Sequence, residues 1–268
     1  LQKKRRMKHK VSARYAGLAA GGQIGRDAEQ ERVVARLDAL AGQLTERELA
    51  SKGSALGWLF SRKAKPEPLR GLYVWGAVGR GKTMLMDLFY AVAPIASKRR
   101  VHFHEFMLDI HTRLKEWHDL SVQKRAQHGS RSGDDDPLPS IARKIAREAT
   151  LLCFDELQVS DIADAMVLTR LFKELFAQGV IVVATSNRPP EDLYKNGLNR
   201  QRFLPFIAQI RERLDIIPLD GPIDYRYNRL QGAQTYYFPI NAVTTAQLSV
   251  IFFRLTDRRV EDRAKVPS

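Results

Sequence analysis

Leu72-Tyr73-Val74-Trp75-Gly76-Ala77-Val78-Gly79-Arg80-Gly81-Lys82-Thr83-Met84-Leu85-Met86 is the stretch from which the rest of the chain can be read. Its centre, Gly76–Thr83, fits the pattern G-x-x-x-x-G-K-[ST]. Four fixed positions arise by chance in long chains, so the flanks decide. A β-rich apolar run ends at Trp75, and a helical pattern opens directly after the loop. In that setting the glycines let backbone N–H groups turn inward and approach phosphates closely. A helix starting at Lys82 would point its positive end at the same anions. The residues expected to hold the phosphates are Gly76, Ala77, Val78, Gly79, Arg80, Gly81, Lys82 and Thr83. Lys82 is expected to reach the β- and γ-phosphates, and the Thr83 hydroxyl to ligate Mg²⁺.

A second apolar run, Leu151-Leu152-Cys153-Phe154, ends in Asp155-Glu156. Alone, four apolar residues followed by two acids is a weak pattern, and an Asp there often just caps a helix. Beside a phosphate loop it gains meaning, because ligands of open α/β sheets bind at the carboxyl ends of the strands. Asp155 is then suited to hold Mg²⁺ with Thr83, and Glu156 to polarise a water as general base. A third run, Val180–Thr185, leads into Ser186-Asn187. If this strand lies between the other two, Asn187 comes near the γ-phosphate and can position the lytic water. The plainer reading of Asn187 is the start of a turn before Pro189-Pro190. An extra strand in that place is the mark of the ASCE branch of P-loop ATPases, which includes the AAA+ proteins.

Downstream come Arg200 and Arg202, expected near a helix end. In ring ATPases such arginines reach into the neighbour's site, and one of that kind is worth roughly 10³–10⁵ in rate. Arg202 is the preferred candidate and Arg200 the other. A surface ion pair is the bland alternative.

Outward from these motifs, β-rich runs at Gly71–Trp75, Val101–Phe103, Leu151–Phe154, Val180–Thr185 and Leu214–Leu219 alternate with helical patterns. The helices are expected at Met84–Ala93, Phe106–Leu120, Ile162–Gln178 and Pro190–Arg213. Such alternation predicts a parallel sheet covered on both faces. The organisation expected is a basic, disordered tail at 1–26, a helical extension and linker at 27–68, the ATPase core at 69–219 and the start of a C-terminal region at 220–268. Within these, Asp27–Leu44 reads as a helix, Ser61–Pro68 as linker, Ser121–Ser140 as an exposed loop, Thr235–Ile240 as a strand and Thr245–Leu255 as a helix. His102 and His104, two apart on an expected strand, would share one face. Two ligands do not make a metal site, and a structural or nucleotide-sensing role is preferred.

The chain has 268 residues and a formal charge of +14. Eight of its 44 basic residues lie in residues 1–26, which hold no acid, so the basicity is largely a property of the tail. That tail reads as solvated; nucleic acid or an anionic membrane surface is the alternative use. It lacks the apolar stretch of a secretory signal. The longest apolar runs are too short to cross a bilayer, which makes a soluble protein the expectation. The single cysteine, Cys153, cannot form an internal disulfide and sits in an apolar run, which points to a small core residue in a reducing compartment. The chain starts at Leu1, which reads as processing or as a fragment.

Taken together, GLYVWGAVGRGKTMLMDLFY (71–90), VHFHEFMLDIH (101–111), LLCFDELQVSDIADAMVL (151–168), VVATSNRPPEDLYKNGLNRQRFLPFI (182–207) and DYR (224–226) resemble the ZapE/AFG-type ATPases, from about Tyr15 to about Asp257. The resemblance implies an α/β P-loop NTPase fold of AAA+ type, with a five-stranded parallel sheet of order 5-1-4-3-2 flanked by helices. It also implies ATP and Mg²⁺ as ligands, ATP hydrolysis coupled to remodelling of a protein partner, and a homo-oligomer with an arginine finger in trans. For bacterial members it implies the cytoplasm and a link to the division ring. The alternatives are mitochondrial-matrix quality control of membrane proteins, with peripheral membrane contact, or a nucleic-acid-handling ATPase such as a helicase loader. Two departures from the family pattern are expected: the helical lid with its second sensor arginine would be largely missing from this chain, and the basic run Lys3–Lys10 would fall outside the pattern.

Overall fold

A parallel sheet covered on both faces needs central strands that are apolar on both sides, and three strands here qualify. In the computed structural model, which describes residues 10–53, 68–120, 136–219, 238 and 241–256, strand β1 (Gly71–Trp75), β3 (Leu151–Asp155) and β4 (Ile181–Ser186) form the centre. The edges are β2 (Lys98–His102) and β5 (Leu214–Pro218). The order is β2-β3-β4-β1-β5, all parallel, the order expected. Helices connect the strands: α3 (Lys82–Val92), α4 (Phe103–Asp119), α5 (Leu138–Glu148), α6 (Ile162–Ala177) and α7 (Leu204–Arg213). Two more, α1 (Val11–Ala20) and α2 (Ala28–Gly53), precede the sheet.

Alternation along the strands sorts the core into two layers. Leu152 and Phe154 face one side with Val182 and Ala184, under α4, α5, α6 and α7. There Phe154 sits among Phe103, Phe106 and Phe172, with ring centroids 5.5, 4.7 and 5.8 Å away. Leu151 and Cys153 face the other side with Leu72, Val74, Ile181 and Val183, under α1, α2 and α3. Burial pushes the Cys153 thiol up to about 12, so it stays protonated and packs as a small apolar group.

Several expectations need correction. Residues 11–20, assigned to a disordered tail, form α1. Val11 and Tyr15, one helical turn apart, bury against α2 and α3, and the Val11 N–H is held by Asp38 at 2.6 Å. A tail judged on charge alone hides that stripe. Strand β2 starts three residues earlier than expected and stops at His102, because the edge takes Lys98, Arg99 and Arg100, whose heads all find partners: Lys98 the Tyr90 and Ala93 carbonyls, Arg99 the Asp109 carboxylate, and Arg100 the carboxylates of Asp87 and Asp155. His104 consequently lies in the first turn of α4, so His102 and His104 do not share a strand face. Helix α5 begins within the expected loop Ser121–Ser140. Leu138, Ile141, Ala142 and Ile145 recur at helical spacing and are all buried. The expected helix Pro190–Arg213 is instead two 3₁₀ turns, Pro190–Asp192 and Arg200–Arg202, followed by α7. Tyr194, Asn196 and Asn199 take positive φ, and the segment folds around the Tyr194 ring, whose hydroxyl donates to the Leu198 carbonyl at 2.9 Å. Residues 1–9, the linker 61–67, the loop tip 121–135 and most of the expected strand Thr235–Ile240 lie outside the described residues.

The chain divides into two units, Leu1–Gly221 and Pro222–Ser268. In the second, α8 (Ala242–Thr256) runs slightly longer than the expected Thr245–Leu255 and is capped by Asn241. Its Oδ1 accepts the Val243 and Thr244 N–H groups, each at 3.0 Å.

Candidate nucleotide site

Strand β1 ends at Trp75, and the chain turns at once into the glycine loop. Gly76 N–H donates to the Ser186 carbonyl at 3.2 Å, tying the loop's base to the end of β4. Gly79 and Gly81 both take φ of +83°, where a side chain would strain the backbone. At Gly81 a Cβ would also land 2.8 Å from Gln30 Nε2. Gly81 directly precedes α3, so the first free N–H groups of that helix open onto the loop. Lys82 is 8% exposed, and its Nζ donates to the Gly76 and Ala77 carbonyls, each at 2.7 Å. The ammonium thus lies within the curl of its own loop.

Asp155 ends β3 at the same end of the sheet and is 2% exposed. Its Oδ1 accepts from Thr185 Oγ1 at 2.7 Å and from Thr83 Oγ1 at 3.3 Å. Its Oδ2 accepts from the Arg100 guanidinium at 2.9 Å, and Arg100 also pairs with Asp87 on α3. A hydroxyl of the phosphate loop and the carboxylate of the acidic strand end are therefore already in contact. Glu156 follows with φ of +55°, a left-handed conformation that costs a non-glycine residue roughly 1–2 kcal/mol. The Thr185 hydroxyl accepts the Glu156 N–H at 3.1 Å and holds that turn, leaving the Glu156 side chain exposed. Outliers of this kind concentrate at functional sites.

Asn187 follows β4 directly and is exposed. With β4 lying between β3 and β1, it leaves the sheet at the same end as the loop and Asp155. Arg200 and Arg202 share one 3₁₀ turn but differ. Arg200 donates to the Glu191 carbonyl and is half-buried. Arg202 is exposed, and among the described residues its side chain makes no hydrogen bond or ion pair.

Four contributors escaped the sequence reading. Thr185 joins Asp155 to the Glu156 backbone, Arg100 holds the second oxygen of Asp155, and Gln30 and Asp27 reach the loop from α2. Nothing local marked Gln30. Arg100 lies before the expected strand Val101–Phe103 and pairs across the sheet with Cys153, so nothing local marked it either.

The residues present fit a Mg²⁺-nucleotide. Glycines at positive φ leave the loop open for close approach, a lysine lies in its curl, and a hydroxyl–carboxylate pair offers the hard oxygen donors that Mg²⁺ prefers.

A family model described as AFG1-like ATPase matches residues 10–267. Cell division protein ZapE of Escherichia coli K12 is 44% identical over 205 residues, covering 76% of this chain and 51% of the relative. Lactation elevated protein 1 homolog B of Danio rerio is 50% identical over 175 residues, covering 65% of this chain and 34% of the relative. The chain thus spans about half the length, or less, of the curated relatives it matches. Among solved structures, AMPPCP-bound DnaA from Aquifex aeolicus has a TM-score of 0.48 at 12% identity, covering 96% of this chain and 69% of that one. DnaI has a TM-score of 0.46 at 15% identity, covering 73% and 87%. With a family match running almost end to end, the chain belongs to the AFG1-like ATPase family.

Proposed function

We propose that this protein binds ATP with Mg²⁺ and hydrolyses it to ADP and phosphate, with the hydrolysis completed by a second copy of the chain. One observation carries the reading above the rest: Thr83 of the phosphate loop and Asp155 of the strand end meet at 3.3 Å, at one end of one sheet. Only there can a single ligand touch both.

In this reading the loop amides and Lys82 hold the phosphates, and Thr83 and Asp155 hold Mg²⁺. A metal held by these two residues would supply positive charge to offset that of the phosphates. Lys82 exchanges its two carbonyl partners for phosphate oxygens, which suits a cation already desolvated at 8% exposure. Thr185 and Arg100 keep the Asp155 carboxylate in one orientation. Glu156, exposed and set by its left-handed backbone, takes the proton of the attacking water. Asn187 positions that water. Arg202, exposed while Arg200 is engaged, reaches the neighbour's site.

The relative named cell division protein ZapE supports a role in bacterial cell division. In this reading the chain works in the cytoplasm and the energy of hydrolysis remodels a protein partner. Among the described residues no helix is long and apolar enough to cross a membrane.

The test is equilibrium binding and turnover on the purified chain with Mg²⁺ and ATP. The wild type should bind ATP and release phosphate, and Lys82→Ala should bind at least tenfold more weakly. Wild-type protein that binds no ATP, or a Lys82→Ala variant that binds as tightly, overturns the reading.

A further inference from the structure

Helices α1 and α2 approach the phosphate loop from behind, through polar groups that are buried almost completely. Tyr15 is 2% exposed, Gln30 3% and Arg80 3%. Their bonds close a ring. The Asp27 N–H donates to the Tyr15 hydroxyl at 3.1 Å. That hydroxyl donates to Gln30 Oε1 at 3.0 Å, and Gln30 Nε2 donates to the backbone carbonyl of Arg80 at 3.0 Å. The Arg80 guanidinium returns to Asp27 Oδ2 at 3.5 Å. Meanwhile Asp27 Oδ1 caps α2, accepting the Glu29 and Gln30 N–H groups at 2.7 and 3.2 Å. Arg80 lies between the two positive-φ glycines of the loop, so both its carbonyl and its side chain are fixed from outside the core.

A carbonyl in a phosphate loop is a hazard, because an acceptor aimed at an anion repels it. Gln30 holds the Arg80 carbonyl towards the protein, which leaves the neighbouring amides to face inward. A buried arginine needs a fixed anionic partner, and Asp27 supplies one only while α2 is capped and docked. Loop shape and helix docking are therefore one polar network, and partial loss of such a network costs more than any one bond.

We propose that Tyr15, Gln30, Asp27 and Arg80 form a positioning ring that holds the phosphate loop in its anion-accepting shape, so that the N-terminal helices set nucleotide affinity. This rests on the ATP reading given above. Gln30 and Arg80 act as positioning residues through the loop backbone, not on the reacting atoms. The effect should fall on binding: KM changes and kcat does not.

The experiment uses the full chain and measures ATP–Mg²⁺ affinity by calorimetry, together with kcat, KM and melting temperature. Gln30→Ala should weaken affinity about tenfold and raise KM in step, with kcat within twofold of wild type. Gln30→Glu keeps the shape and the acceptor for Tyr15 but loses the donor to Arg80, and should weaken binding similarly. Tyr15→Phe removes one hydroxyl and should weaken it about threefold. Leu37→Ala, on the apolar side of α2, loosens the helix without touching the ring. It should lower the melting temperature and leave affinity unchanged. If Gln30→Ala and Gln30→Glu bind ATP as wild type does, the ring has no such role. If Leu37→Ala weakens binding as much as they do, general loosening explains the effect and the proposal falls. A wild type that binds no ATP sinks the ATPase reading itself, and the ring with it.

Discussion

Among the candidate site residues, Asp155 and Arg202 stand at opposite extremes of burial. Asp155 is 2% exposed and bonded by three side chains of its own chain: Thr185, Thr83 and Arg100. Arg202 is exposed on a 3₁₀ turn and held through its backbone, the N–H donating to the Asn199 carbonyl at 2.9 Å and the carbonyl accepting a long 3.4 Å bond from Thr169. The difference teaches what each can do. A carboxylate that must meet a divalent ion at one position needs its orientation fixed in advance, and burial with satisfied bonds does that. An arginine that is to act on a neighbouring copy must stay free of its own chain. The inner cluster should then carry both stability and turnover, and the outer turn turnover alone.

The sharpest break of that comparison is Arg202→Ala. In an assembled oligomer it should lower kcat by roughly 10³-fold, while ATP affinity and melting temperature stay at wild-type values. Turnover measured against protein concentration checks this; an equal loss in dilute monomer would place the arginine in cis. Glu156→Gln comes next. It should lower kcat roughly 10²-fold or more and leave ATP bound, read by trapping unhydrolysed nucleotide on the protein. Normal turnover there would remove Glu156 as the base.

Thr185→Val sharpens the inner half. It keeps the volume but removes the donor to Asp155 and the acceptor of the Glu156 N–H. It should cost about 1–3 kcal/mol of unfolding free energy and raise the Mg²⁺ concentration needed for half-maximal turnover. Denaturant unfolding and a Mg²⁺ titration measure the two. The smallest effect belongs to Asp109, away from the site. Burial opposes its charge, but hydrogen bonds from Arg113 and Arg99 outweigh this and hold its pKa below the ordinary 3.8. A carboxylate with a depressed folded pKa contributes stability above its unfolded pKa and loses it as pH falls through the folded value. Asp109→Asn should therefore cost at most about 1 kcal/mol at neutral pH, and the difference from wild type should vanish well below pH ~4. Melting curves across pH 2–7 would show it.

Much of this was legible in the chain itself. Gly76–Thr83 between an apolar run and a helical pattern, and Phe154-Asp155-Glu156 after another, placed the loop, the acids and the central strands, because each is encoded by neighbours in sequence. The arginine-rich edge strand β2 was misjudged, since its charged side chains reach away from the strand while its backbone pairs with β3. Helix α5 has no counterpart among the expected elements, and its first three residues fall in the expected loop, because its four buried residues follow a polar stretch that dominates the local composition. The segment 190–203 was read as helix because its apolar spacing outweighed a proline, a glycine and two asparagines that bend it.

By itself the sequence determined that a phosphate loop and an acidic strand end exist here, each being a local pattern whose geometry the backbone dictates over a few residues. That Thr83 touches Asp155, that Thr185 and Arg100 orient it, and that Tyr15, Gln30 and Asp27 close a ring on Arg80 were decided only by the tertiary structure. Those contacts join residues up to 72 positions apart in the chain, and only sheet pairing and helix docking bring them together.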